Sequence, residues 1–133
     1  MKNEEVVGFC TENNIELLVL FGSYASGKPH PGSDVDVAVK FTRGKEIPKL
    51  ELIYKLGGLF PDREIDPVIL TKDTDPLLLY EIFLNGRLLY EKEPGIFEKE
   101  SLRAWKLFID TESLREMQRK YLKEFAERSS HVA

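Results

Sequence analysis

One cysteine in 133 residues, Cys10, rules out an internal disulfide framework and a thiolate metal cluster. Cys10 lies among apolar residues in a helical stretch, so a buried small hydrophobe is expected there. The two histidines, His30 between prolines and His131 near the end, lack metal-ligand spacing and read as surface residues. No apolar run approaches the ~20 residues needed to span a bilayer. The first residues, MKNEEVV, lack the apolar core of a signal peptide, which leaves a cytoplasmic location as the expectation. Positive charge is also scarce. The net charge is −4, which offers no basic field for DNA. The imbalance sits in residues 1–94, with 11 Lys/Arg against 16 Asp/Glu; residues 95–133 carry 8 against 7. An acidic body suits metal binding, and it equally suits an ordinary acidic domain.

What is present is concentrated in Leu17–Val39, LLVLFGSYASGKPHPGSDVDVAV. An apolar strand, expected over Ile15–Phe21, breaks at Gly22-Ser23. A short helical turn over Ser23–Gly27 and a proline-rich loop through Gly32 follow. Asp34–Phe41 then reads as a second strand, with Val35, Val37 and Val39 inward and Asp34 and Asp36 together on the other face. At ~3.3 Å per residue the two carboxylates stand about 7 Å apart, a spacing that can share divalent cations. The Gly-Ser turn offers backbone donors and a hydroxyl to a phosphate.

The remaining elements follow from periodicity and punctuation. Asn3 can cap a first helix that stops at Asn13-Asn14. Leu52, Ile53, Leu56, Leu59 and Phe60 recur at helical spacing over Pro48–Phe60. Glu64–Leu70 is a third strand, where Pro67 demands an unpaired side or a bulge. Asp75-Pro76 opens a helix that closes at Asn85-Gly86, and Arg87–Tyr90 is a short last strand. Gly95 to about Glu127 contains no proline and would make a helix about 50 Å long. A domain of ~100 residues has a radius of gyration near 13 Å. The helix is therefore expected to break near Asp110-Thr111 or to overhang and meet a partner. Trp105, Phe108 and Tyr121 could line that contact or pack on the chain's own body. The expected organisation is a domain over residues 1–94 and a helical extension over residues 95–133.

Asp66, inside Glu-Ile-Asp-Pro-Val, supplies a third strand-borne carboxylate. An Asp-x-Asp pair alone is as easily a solvated edge. With a preceding Gly-Ser turn and a later strand aspartate it reads as a metal–nucleotide site. Two carboxylates can hold two ions, and a third can bind one and help deprotonate an incoming hydroxyl. Other phosphate motifs fail: no Ser or Thr follows Lys28, so Gly27-Lys28-Pro29 is not a P-loop. Gly22–Gly27 lacks the middle glycine of a dinucleotide fingerprint.

Gly22-Ser23, ten intervening residues, then Asp34-Val35-Asp36 resembles the nucleotidyltransferase motif of the DNA polymerase β superfamily, and the small size is similar to its minimal nucleotidyltransferases. The resemblance covers roughly residues 15–90. It implies an α+β nucleotidyltransferase fold: a mixed β-sheet flanked by helices, here with a C-terminal helical extension. It also implies Gly22 and Ser23 on the nucleotide's phosphates, Asp34, Asp36 and Asp66 as catalytic and metal-binding residues, two Mg2+ ions, and ATP as substrate. Pro67 departs from the β-branched or leucine residue usual after the third carboxylate. Leu79–Tyr90 with the long helix beyond is similar to MntA-type antitoxins. That likeness implies transfer of AMP to a tyrosine of a cognate HEPN-domain toxin, and a homo- or hetero-oligomer. A small-molecule or RNA hydroxyl as acceptor, and neutralisation by binding without chemistry, are the alternatives.

Overall fold

The structure, a computed structural model, describes residues 3–27 and 34–130. The loop expected around Lys28, His30 and Gly32, and the tail with His131, lie outside the described residues. Four strands form one sheet in the order β3-β2-β1-β4, with β1 Ile15–Phe21, β2 Val35–Phe41, β3 Ile65–Ile69 and β4 Arg87–Glu91. β1 runs antiparallel to both β2 and β4, while β3 runs parallel to β2. The sheet is mixed, as expected: α2, Lys49–Leu56, crosses between the parallel neighbours β2 and β3, and a further helix, Pro76–Asn85, carries the chain from β3 across to β4.

Alternation along β2 separates two cores. Val35, Val37, Val39 and Phe41 join Leu18 and Leu20 of β1 under α1 (Asn3–Glu12) and α2. On the opposite face Ala38, Leu17, Val19 and Phe21 pack beneath α3 (Pro76–Asn85) and the start of α4 (Ile96–Ser130). Cys10 is fully buried in the first core, and burial pushes its thiol up to about 12.

The local signals act as their chemistry requires. Asn13 closes α1, its backbone and side-chain N–H both donating to Phe9 O at 3.1 and 2.8 Å. Asn14 then takes φ +57, a left-handed conformation that asparagine tolerates. Asp75 caps α3 by accepting from Leu77 N at 2.7 Å, with Pro76 in the first turn. α2 stops at Leu56, short of the expected Phe60, because Gly57-Gly58 follows and the chain leaves through tighter turns. Pro67 is explained by strand order. Leu70 N donates to Val39 O at 2.8 Å, so alternate residues of β3 face β2. Position 67 faces the sheet's free edge, where a missing N–H leaves no bond unmade.

α4 decides one expectation: it does not break at Asp110-Thr111. It runs unbroken for 35 residues, about 50 Å at 1.5 Å per residue. Of the two expected outcomes, a break or an overhang, the structure has the overhang. Glu91 accepts from Gly95 N and Phe97 N at 3.2 and 2.9 Å, fixing the start. Ala104 is buried and Phe108 stacks on Tyr80 with centroids 4.0 Å apart. Beyond that contact Leu114, Met117, Tyr121, Leu122 and Phe125 are each about 60 % exposed or more. The aromatic set is thus divided: Phe108 serves the body, Tyr121 faces outward, and Trp105 stands between, 47 % exposed. Among the described residues no helix is long and apolar enough to cross a membrane.

Candidate active site

Strand direction gathers the predicted residues at one end of the sheet. β1 ends at Phe21, β2 begins beside it, and β3, parallel to β2, begins next to β2. In that register Phe21 lies opposite Asp36, and Asp36 opposite Asp66. Asp34 sits just before β2, two residues from Asp36 and exposed. Asp36 projects to the α3–α4 face, one strand period from buried Ala38. The helices cover the sheet from Ala38 onward and leave Asp36 half-buried at their margin.

Gly22 follows Phe21 at φ +75, a conformation costly for any residue with a Cβ. A Cβ built there would overlap Asp36 Oδ2 and stand 3.2 Å from its carboxyl carbon. Glycine is therefore needed twice, for the turn and for the carboxylate beside it. Ser23 lies in the 3-10 turn Gly22–Tyr24, which Ser26 continues: its N–H donates to Gly22 O at 3.2 Å and its hydroxyl to Ser23 O at 3.0 Å. The short helical turn expected at Ser23 is present, one residue earlier.

Asp36 senses its two neighbours. The proton affinity of Asp36 is raised above the ordinary carboxylate value, first by partial burial, then by the charges of Asp66 and Asp34. Among the described residues no three acidic, His or Cys side chains are gathered closely enough to hold a metal ion as they stand. The donor set nevertheless fits a hard divalent cation, being all carboxylate oxygen on adjacent strand starts, with two of its three members exposed.

Two cations at this end were not singled out from the sequence. Lys49 Nζ stands 3.7 Å from Asp66 Oδ1, reaching round the edge strand from the first turn of α2. Arg63 lies over the Tyr24 ring, 5.7 Å from its centroid, and ties the approach to β3 to the 3-10 turn. A sequence signal existed for Lys49. A lysine directly after Pro48 opens a helix at the end whose dipole repels cations.

The fold and this constellation define a nucleotidyltransferase. Residues 4–95 match the family model described as polymerase beta, nucleotidyltransferase, and the chain belongs to that family. Comparison with curated proteins gives no match. Among solved structures, the chain is similar to a toxin–antitoxin complex with AMP-PNP, at TM-score 0.73 and 21% identity, over 92% of this chain and 98% of that one. It is also similar to a chain from the tri-AMPylated Shewanella oneidensis HEPN toxin in complex with MNT antitoxin, at TM-score 0.66 and 19% identity, over 90% and 94% of the two chains. A MntA–HepT toxin–antitoxin structure gives TM-score 0.66 and 18% identity, over 90% and 95%.

Proposed function

We propose that the chain is a magnesium-dependent adenylyltransferase that moves AMP from ATP to a tyrosine hydroxyl of a HEPN-domain toxin and so acts as its antitoxin. The observation that carries the reading is the meeting of Gly22, Asp36 and Asp66 at one end of the sheet, with a glycine that only the close carboxylate and the turn require. The structures of like fold support the choice of acceptor, since those proteins are described as toxin–antitoxin complexes, one holding an AMPylated HEPN toxin.

Asp34, Asp36 and Asp66 would hold magnesium, two ions in all, whose charge would neutralise the triphosphate and polarise its α-phosphorus. The Gly22-Ser23 turn presents backbone N–H groups and a hydroxyl to the nucleotide's phosphates. Asp66, on the exposed edge strand, is open to an acceptor arriving from solvent and orients its hydroxyl. The acceptor oxygen forms a bond to the α-phosphorus as the bridging bond to the β-phosphate breaks in line. Pyrophosphate leaves, and the hydroxyl proton passes to the Asp66 carboxylate. The outward stripe of α4 supplies the grip on a protein acceptor that a four-stranded domain lacks. On this reading the protein works in the cytoplasm, as a hetero-oligomer with its toxin.

Labelled ATP, magnesium and the product of the adjacent gene test the proposal. Label transferred to a tyrosine of that partner, and lost in the Asp34→Ala, Asp36→Ala double variant, is the expected result. A tight complex that never acquires label would replace transfer with neutralisation by occlusion.

A further inference from the structure

Lys49 is placed where helix electrostatics disfavours it. It is the first residue of α2, behind Pro48, and a cation there meets the positive end of the helix dipole. Its ion pair with Asp66 does little for the fold, because both side chains are 58 % exposed and such pairs are heavily screened. What the pair does change is the site. Among the described residues Lys49 is the ion-pair partner of Asp66, its Nζ 3.7 Å from Oδ1 on the edge strand β3. The carboxylates of the site are, among the described residues, not gathered closely enough to hold a metal ion as they stand.

We propose that Lys49 is the resident counter-cation of the site: in the nucleotide-free protein its ammonium holds the Asp66 carboxylate and competes with a divalent metal for it. The inference rests on the metal-binding reading of Asp34, Asp36 and Asp66 given above. Its consequence is order. Metal arriving alone must displace Lys49 from Asp66 and binds weakly. Metal arriving with a triphosphate brings a more highly charged anion onto which the long lysine side chain can turn. Lys49 thus couples metal loading to nucleotide loading without touching the reacting atoms.

Titration of nucleotide-free protein with Mn2+, followed by paramagnetic resonance or calorimetry, tests this without any transfer reaction. A unit charge about 4 Å away in water alters an equilibrium by a factor of about five. Lys49→Met should therefore bind Mn2+ alone about fivefold more tightly than wild type, while Lys49→Arg, which keeps the charge, stays near wild type. In the presence of AMP-PNP the advantage of Lys49→Met should vanish or reverse. Equal Mn2+ affinity in wild type and Lys49→Met, with both folded by circular dichroism, would overturn the proposal. An Asp36→Asn control separates the two readings. If wild type binds Mn2+ no better than Asp36→Asn, the metal site itself fails; if it binds better and Lys49→Met changes nothing, only the role of Lys49 fails.

Discussion

Replacing Gly22 with alanine perturbs one methyl group and tests the whole arrangement. The backbone there holds φ +75, and a left-handed conformation costs an L-residue about 1–2 kcal/mol. The new Cβ would also overlap Asp36 Oδ2, with the carboxyl carbon at 3.2 Å and Asp36 Cβ at 3.4 Å. Asp36 cannot simply swing clear, since it is flanked by Phe21 on β1 and Asp66 on β3. Pushing it off its rotamer adds roughly 0.5–1.5 kcal/mol. The sum, about 1.5–3.5 kcal/mol, corresponds to a fall in Tm of roughly 5–17 °C for a domain of this size. A carboxylate displaced by about 1 Å should in addition cost transfer activity about a hundredfold. Gly8→Ala is the matched control. A Cβ at Gly8 meets nothing within 4 Å, and the residue lies inside α1, where alanine is favoured by roughly 0.5–1 kcal/mol. Thermal denaturation and label transfer on the pair decide the matter. If Gly22→Ala melts with wild type and transfers AMP at its rate, the packing of the Gly-Ser turn against Asp36 is not as described.

Asp36→Asn should separate stability from activity. The folded protein raises the proton affinity of Asp36, so the protonated form is the one the fold prefers. The stabilising contribution is complete below the ordinary carboxylate range and is lost as pH rises through the raised value. In metal-free buffer Asp36→Asn should therefore melt above wild type at pH 7, the two should converge as the pH falls below about 4, and transfer should be abolished. A lower melting temperature at pH 7 would show that the carboxylate is stabilised rather than crowded. On α4, Leu114→Ser, Tyr121→Ser and Phe125→Ser together alter only exposed side chains, each worth within about 0.5 kcal/mol. Melting should scarcely move while capture of the proposed toxin partner is lost; unimpaired capture would place that grip elsewhere.

Much of this was legible because local chemistry and tertiary structure agree. Parity along Asp34–Val39 puts valines on one face and carboxylates on the other whatever the strand pairs with, and the structure keeps that division. Pro67 announced an edge strand, and Asp75-Pro76 a helix start, through donors that are missing or satisfied. Other features depend on facts no local window contains. That Asp66 lies opposite Asp36 follows from β3 returning parallel to β2 at one particular register. Lys49 reaches Asp66 only because α2 begins beside an uncovered edge. The end of α2 was misjudged because Leu59 and Phe60 keep the helical spacing after Gly57-Gly58 has ended the helix. Whether α4 would break or overhang stayed open, because no proline or glycine marks a stop within it and a helix can keep its form without burial.

The placement of α4 also explains why the site is open. Along one face of β2 the side chains run from exposed Asp34 through half-buried Asp36 to covered Ala38, with half-buried Lys40 beyond. Lys40 Nζ meets Glu100 of α4 at 3.1 Å, and Glu100 is in turn held by Arg103 at 3.4 Å. That ion-paired cluster fixes which end of the strand the helix protects. Two strand residues, about 7 Å, separate buried Ala38 from Asp36. A carboxylate two residues further along, at the place of Ala38, would lie under α3 and α4 among apolar side chains. An uncompensated carboxylate in such a setting is costly, and the site would lose either its charge or its cover. The Lys40–Glu100 contact is therefore a register mark for the active end, although it lies four residues away from it along β2.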